Sequence, residues 1–292
     1  IEKSRSSVVT VESDGSYYSG IIIAKEKETV HILTTTKAIK NGSPNVVFDS
    51  GVRVSSTIVG DDTESGLAVI QVTTNFEVKP FTILDTNALA QGANVVVMSG
   101  RNLTTGSAVV SSGITSEPGV WRMSSTTTWL SSMLEMDTPI TSIQEGGAVI
   151  DLNGSLVGVV ASQPYQGNSR MEYAITANEM KLIYNAIKTN GKVMRGALGV
   201  VVRNVSSMLA YEKSAHGISI DMKTGLYVQT VVEKTDTGDG LQEGDIITMI
   251  DGIEMSSYQD VLARLYMHSA GDTVNVSIIR GGESKQIGVV LQ

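Results

Sequence analysis

The sequence of 292 residues contains no cysteine, which excludes disulfide bonds, thiolate metal sites and a cysteine nucleophile. It has no apolar run of the roughly 18 residues that a membrane-spanning helix needs. Lysine and arginine number 22 against 30 acidic residues and form no cluster, so a nucleic acid or an anionic membrane is not expected as a partner. No phosphate-binding loop or metal-ligand cluster is present, and we expect neither a cofactor nor a metal.

The sequence is rich in glycine, with 29 residues, and its first ~170 residues read as short strands separated by turns. Each run is apolar or β-branched and ends at Gly, Asn or Asp, which is typical of a sandwich or a barrel. The predicted strands are 7–12, 17–24, 31–34, 45–48, 53–59, 67–72, 94–99, 109–115 and 148–163.

A helix is predicted from Thr176, where Thr176 and Glu179 have the spacing of a capping box and Asn190-Gly191 supplies the end. The length of the chain favours two domains, and we place the boundary after this helix, giving residues 1–190 and 191–292. The second domain mixes strands with two predicted helices, 207–215 and 257–268.

The second domain carries a specific pattern at residues 238–252, GDGLQEGDIITMIDG, preceded by RGALGV at 195–200. With the order of its strands and helices, the segment from Arg195 to Gln292 resembles a bacterial PDZ domain. The resemblance implies that it binds peptide or protein C-termini, with the carboxylate held by backbone amides. The implied contacts, each equally suited to a core position, are Ala197, Leu198, Gly199, Val200, Leu262 and Leu265.

The first domain contains three segments in this order along the chain: ILTTTKAI at 32–39, VGDDTESGLAVI at 59–70 and DTPITSIQEGGAVI at 137–150. They resemble the histidine, aspartate and serine segments of the HtrA family, in which a trypsin-like serine protease domain precedes a PDZ domain. The implied fold is mainly β: a trypsin-like double six-stranded β-barrel followed by an α+β PDZ domain.

The sequence departs from that family at the positions that carry its chemistry. The histidine position holds Lys37, the aspartate position Gly66 and the serine position Glu145. The glycine whose amide helps to form the oxyanion hole corresponds to Ile143. Acyl transfer needs an activated hydroxyl, an oriented base and oxyanion donors, and losing the triad of a serine protease costs on the order of 10⁶ in rate. Proteolysis of the family type is therefore not expected.

Two further hypotheses concern Lys37. If the fold is kept, its amine faces the carboxylate of Glu145, and we predict an ion pair that fills the former cleft. Alternatively, Lys37 acts as the base of a Ser–Lys dyad with Ser142 or a serine of 131–132. The histidines, His31, His216 and His268, do not supply a base, and we expect His31 to be a strand or surface residue.

Three functions remain open. The first is a catalytically inactive, peptide-binding adaptor or regulator; the others are a protease with the unorthodox dyad and an oligomeric structural subunit. The resemblance implies a bacterial, extracytoplasmic protein of the cell envelope or outside the cell, engaged in protein quality control, as a homo-trimer or paired with an active homologue. Any membrane attachment would come from a signal or anchor before Ile1.

Overall fold

A computed structural model describes residues 1–123, 130–160, 171–232 and 240–292. The chain divides into two compact units, Ile1–Lys192 and Val193–Gln292, where the sequence placed the boundary at 190/191. Within the described residues, no helix has both the length and the apolar character needed to cross a membrane.

In its described residues, the first unit has two groups of antiparallel strands and three helices. The first group is β1 (Val8–Ser13), β2 (Ser16–Glu26), β3 (Thr29–Thr35), β4 (Asn45–Val47), β5 (Arg53–Ser55), β6 (Thr57–Asp62) and β7 (Leu67–Thr73). The second group is β8 (Asn94–Arg101), β9 (Ala108–Met123), β10 (Leu130–Met136), β11 (Ala148–Ile150), β12 (Leu156–Val160) and β13 (Glu172–Thr176). The helices are α1 (Glu2–Arg5), α2 (Thr36–Ile39) and α3 (Ala177–Asn190).

The first group pairs in the order β5-β4-β1-β2-β3-β7-β6, which is seven strands rather than the six expected. The extra strand arises at Ser56, whose N–H and hydroxyl both donate to the carbonyl of Pro44 and so interrupt one bent strand. If β5 and β6 are counted as one strand, that strand pairs with β4 at one end and with β7 at the other. The six strands then close a barrel.

The second group forms a closed six-stranded barrel in the order β10-β13-β12-β11-β8-β9, as the resemblance implied. The prediction of one strand over 148–163 was wrong, because the Asp151 carboxylate accepts the N–H groups of Asn153 and Ser155 and makes a turn between β11 and β12. Residues 161–163 of that prediction lie outside the described part of the chain. The sequence also missed β10 and β13.

Helix α3 starts and ends where the sequence predicted. The hydroxyl of Thr176 accepts the N–H of Glu179 at 3.3 Å, and Gly191 takes the left-handed conformation after the last turn. Gly60 of β6 lies so close to the end of the helix that a Cβ there would be 1.8 Å from the Gly191 carbonyl oxygen. The end of α3 is thereby packed directly against the first barrel.

The second unit is a five-membered antiparallel sheet with a short side strand and two helices. Its strands are β14 (Val200–Asn204), β15 (Leu226–Val231), β16 (Ile246–Ile250), β17 (Ile253–Glu254), β18 (Thr273–Arg280) and β19 (Glu283–Val290). The main order is β14-β15-β16-β18-β19, with β17 beside β16. The helices are α4 (Ala210–Ala215) and α5 (Tyr258–Leu265).

Both helices of the second unit are shorter than predicted. Helix α4 begins after Leu209 because the Glu212 carboxylate accepts the Leu209 N–H at 2.7 Å. Helix α5 begins at Tyr258, where Asp260 accepts the N–H groups of Ser256 and Ser257. In the same unit the buried carboxylate of Asp245 pairs with Arg280 through two hydrogen bonds of 2.7 and 2.8 Å.

His31 lies in a strand as expected, β3, but it is buried rather than on the surface, with 7% exposure. Its Nδ1 is 2.7 Å from the hydroxyl oxygen of Tyr184 on α3. Burial, followed by the positive charge of Lys188, lowers the pKa of His31 below its ordinary value. The neutral ring is therefore the form compatible with the packing of α3 on the barrel.

The free energy of unfolding of the first unit is expected to fall as the pH drops from 7.5 towards 5. Unfolded His31 takes up a proton near pH 6.5, whereas the folded ring has a lowered pKa, so the unfolded state binds more protons in this window. His31→Gln should flatten the dependence, measured by tryptophan fluorescence, since the two tryptophans of the sequence, at positions 121 and 129, fall within the range 1–192. His216→Gln is the control; an equal pH slope in wild type and His31→Gln would contradict the assignment.

Candidate functional site

The segment that holds Glu145 is a 3-10 turn, Ser142–Gln144, fixed to the second barrel. Gln144 is fully buried, and its side-chain amide donates to the carbonyl of Val97 and the hydroxyl of Ser111. Its Oε1 accepts the N–H of Thr141 at 2.9 Å, which closes the start of the turn. Glu145 follows directly, so the position of its backbone is set by a buried polar anchor.

The two glycines after Glu145 are required by close approach. Gly146 has φ +78°, and a Cβ there would lie 2.3 Å from the carbonyl oxygen of Ser19 in the first barrel. At Gly147 a Cβ would lie 2.3 Å from the carbonyl oxygen of Met98 in the second barrel. The turn thus passes between the two barrels with no room for side chains.

Lys37 and Glu145 form the predicted ion pair. The Lys37 Nζ lies 2.9 and 3.0 Å from the two carboxylate oxygens of Glu145, although the residues are 108 positions apart. The side chains are 48% and 20% exposed, respectively. A pair this accessible to water contributes about 0–1 kcal/mol to stability, so its effect is on the chemistry of the site rather than on the fold.

Gly66 lies beside the same site through its backbone. Its carbonyl accepts the N–H of Thr36, the residue before Lys37, at 2.9 Å, and its own N–H donates to the carbonyl of Asp62. With φ +73° and no side chain, Gly66 supplies no carboxylate to orient a base. The structure therefore places Gly66 next to Thr36, and Lys37, the following residue, in contact with Glu145.

The backbone groups of the turn at Ile143 and Glu145 are engaged in internal contacts. The N–H of Glu145 donates to the carbonyl of Ser142 at 3.2 Å, which closes the 3-10 turn. The carbonyl of Ile143 accepts the hydroxyl of Ser19 at 2.5 Å. An oxyanion hole needs amide donors directed at the substrate, and here the Glu145 amide already has an acceptor within the protein.

Ser19 holds this arrangement together, and the sequence analysis missed it. It is fully buried in β2. Its hydroxyl donates to Ile143 and accepts the N–H of Gly100, while its own N–H donates to the Glu145 carbonyl at 3.0 Å. The only sequence signal is a hydroxyl residue at the start of the apolar run 19–24, and that signal gives no partner.

Neither of the two candidate dyad serines whose side chains are described, Ser132 and Ser142, has a hydrogen bond to the Lys37 amine. Among the described residues, the Lys37 amine has hydrogen bonds to Glu145 alone. Ser132 is buried in β10 with 2% exposure, and the side chain of Ser131 lies outside the described part of the chain. Ser142 is exposed, and its carbonyl is used by the Glu145 amide. The contacts of the Lys37 amine therefore give the dyad no support.

In the second unit, the segment Ala197–Val200 leads into the edge strand β14. The N–H of Ala197 donates to the Gln292 carbonyl at 2.9 Å, so this amide is occupied. Within the described ranges, the N–H groups of Leu198 and Gly199 have no acceptor. Gly199 has φ +68°, and successive amides around such a residue form a concavity that suits an anion.

The side chains named for the groove differ in exposure. Leu198, Leu262 and Leu265 are 6%, 1% and 5% exposed, and Leu198 and Leu265 belong to the core of the unit. Val200 is partly buried against that core, while its neighbour Val201, which the sequence analysis did not single out, is 46% exposed on β14. Contact of the buried leucines with a peptide stays a prediction.

Comparison with known proteins agrees with this division of the chain. The trypsin-like peptidase domain family matches residues 18–159 and the PDZ domain family matches residues 196–291. The chain is 27% identical over 282 residues to "Serine protease Do-like HtrA" of Lactobacillus helveticus, covering 94% of this chain and 68% of that protein. The two domain matches and this relative together support an HtrA/DegP-like family for the chain.

Other relatives are more distant in length or sequence. "Serine protease HtrA-like" of Staphylococcus aureus strain USA300 is 28% identical over 313 residues, and this chain spans 40% of its length. Among solved structures, "HtrA-type protease AlgW with tripeptide" superposes with a TM-score of 0.64 at 21% identity, covering 99% of this chain and 94% of that one. The structural similarity confirms the fold, a trypsin-like barrel domain followed by a PDZ domain.

Removal of the Ser19 hydroxyl is expected to destabilise the first unit. Ser19→Ala leaves the Ile143 carbonyl and the Gly100 N–H without their partner, which costs about 1–3 kcal/mol of the free energy of unfolding. Ser16→Ala, at an exposed position of the same strand, is the matched control and should change stability by less than about 0.5 kcal/mol. Equal midpoints of urea unfolding for the two variants would show that the contact carries no stability.

The Lys37–Glu145 pair should show weak coupling in a double-mutant cycle of Lys37→Met and Glu145→Gln. Because both side chains are partly exposed, we expect a coupling energy below about 1 kcal/mol that decreases in high salt. The measurement is urea unfolding at low and high sodium chloride. A coupling above about 3 kcal/mol, the range of buried pairs, would contradict the solvent-screened description.

Proposed function

We propose that this HtrA-like protein is catalytically inactive and acts as an adaptor or regulator that binds peptide or protein C-termini through its PDZ domain. The observation that carries the proposal is the ion pair of Lys37 and Glu145 at the positions of the family's base and nucleophile. The family's relatives are named as serine proteases, so the proposal concerns what these substitutions do in this chain.

The chemistry of the pair argues against acyl transfer. A serine hydroxyl attacks a carbonyl only when a neighbouring base accepts its proton, and an ammonium bound to a carboxylate provides neither group. Gly66 adds no carboxylate to orient a base, and the Glu145 amide donates to Ser142 instead of to an oxyanion. Three separate requirements of the reaction are therefore unmet in the same place.

The PDZ unit supports the binding half of the proposal. Strand β14 pairs with β15 alone among the described strands, which leaves an edge to which an extended peptide can add as a further strand. The amides of Leu198 and Gly199 lie at the start of that edge, where the peptide carboxylate would end. The solved structures of AlgW carry a decapeptide or a tripeptide, and we extend peptide binding to this chain on that basis.

The setting of the protein follows from its family. We infer a bacterial, extracytoplasmic protein of the envelope or the exterior, with a part in protein quality control, working as a homo-trimer or together with an active homologue. The alternative of a Ser–Lys protease loses support because the Lys37 amine is bonded to Glu145. No observation in the described residues favours a purely structural subunit over an adaptor.

The test is cleavage of unfolded casein by the native protein beside designed revertants. The native protein should not cleave casein, and a serine-directed phosphonate should not label it. The triple variant Glu145→Ser/Lys37→His/Gly66→Asp should gain little, because the amide of residue 145 still donates to Ser142. Adding Ile143→Gly should raise cleavage at least about tenfold over the triple variant, since glycine lets the turn present its amides to an oxyanion.

Cleavage of casein by the native protein would contradict the proposal. Casein cleavage that persists at the same rate in Glu145→Ala would mean that a different nucleophile is at work and that the protein is an enzyme. Phosphonate labelling, followed by identification of the labelled serine, would then locate that nucleophile.

A further inference from the structure

Gln292 lies against the loop that would receive a peptide carboxylate. Its backbone pairs with Ala197 through two hydrogen bonds of 2.9 Å, one in each direction, which fixes its register relative to the loop. Its side chain rests on Gly199: a Cβ built there would be 2.9 Å from the Oε1 and 3.2 Å from the Nε2 of Gln292. The backbone pairing thus fixes the position of the Gln292 main chain, and the side-chain amide lies against Gly199.

The donors at this place are unused. Within the described residues, neither the N–H groups of Leu198 and Gly199 nor the side-chain amide of Gln292 has a hydrogen-bond partner. The amide of Gln292 contributes two N–H donors, and rotation about its last torsion presents them to either side. Several unpaired donors around one left-handed glycine favour a small anion such as a carboxylate.

The charged side chain nearest in sequence is engaged elsewhere. Arg195 lies over the ring of Tyr266, with its guanidinium carbon 4.9 Å from the ring centre, and two of its nitrogens are buried. Among the described side chains, the neutral amide of Gln292 is one that lies directly on the loop. Ala197 cannot add its own amide, because that N–H is bonded to the Gln292 carbonyl.

We propose that the side-chain amide of Gln292 donates a hydrogen bond to the C-terminal carboxylate of the bound peptide, beside the N–H groups of Leu198 and Gly199. This inference rests on the proposed function, since it assumes that the PDZ unit binds peptide C-termini. On this proposal, the side chain of Gln292 accounts for part of the preference for a free carboxylate, although Gln292 lies outside the loop segment 195–200.

The experiment measures peptide binding by fluorescence polarisation on the full chain. The probes are labelled decapeptides ending in Val, Leu, Ile or Phe, each made with a free C-terminal carboxylate and as the C-terminal amide. The variants are Gln292→Glu and Gln292→Ala. Gln286→Glu makes the same chemical change at an exposed position of β19 and is the matched control.

Wild type should bind at least one free acid about tenfold or more tightly than its amide, because the donors pair with a charged acceptor. Gln292→Glu should weaken binding of that acid at least about tenfold while leaving the amide within about twofold, since its carboxylate repels only the charged terminus. Gln292→Ala should reduce the acid-over-amide preference at least about threefold, and Gln286→Glu should match wild type.

Each other outcome is decisive. If wild type binds an acid tightly and Gln292→Glu binds it equally well, the role of Gln292 is refuted and the PDZ function stands. If Gln292→Glu weakens acid and amide alike, the side chain supports the loop by packing, which also refutes a donor role. If wild type binds no probe, the proposed function fails, and the inference fails with it.

Discussion

The turn after Glu145 is confined between two barrels, and the rest of the site depends on that confinement. Gly146 and Gly147 approach carbonyl oxygens of Ser19 and Met98, one in each barrel, at distances that admit no Cβ. The hydroxyl of Ser19 then connects the turn to the second barrel through Gly100. Since backbone from both barrels packs against the turn, its path persists even when the side chain it presents is exchanged.

The turn holds Glu145 in place through backbone contacts. The backbone contacts that place residue 145 next to residue 37 involve no side chain of either residue. The Lys37–Glu145 ion pair is partly solvated and contributes little to stability. The atoms that hold the turn in place therefore differ from the charged groups that it presents.

In the PDZ unit, too, the residues that fix the shape of the loop differ from the groups that are available to a ligand. Leu198 and Leu265 belong to its core, whereas the amides of the loop and the exposed edge of β14 are the polar groups left for a partner. In the same unit, the carboxylate of Asp245 forms a bidentate pair with Arg280, which joins the turn before β16 to the end of β18. The proposed peptide binding relies on these backbone groups, together with the side-chain amide of Gln292.

The sequence by itself determined the family, the mainly β architecture, the helix from Thr176 to Gly191 and the absence of a hydroxyl at position 145. These follow from local patterns: strand alternation, caps, turn residues and motif segments that are continuous in the chain. The tertiary structure decided the interruption between β5 and β6 at Ser56 and the hydrogen bonds of the Ser19 hydroxyl. It also decided the burial of His31 and the contact of Gln292 with Gly199. Each of these depends on residues that pack together across long sequence separations, such as the 124 positions between Ser19 and Ile143, and no local pattern encodes such distances.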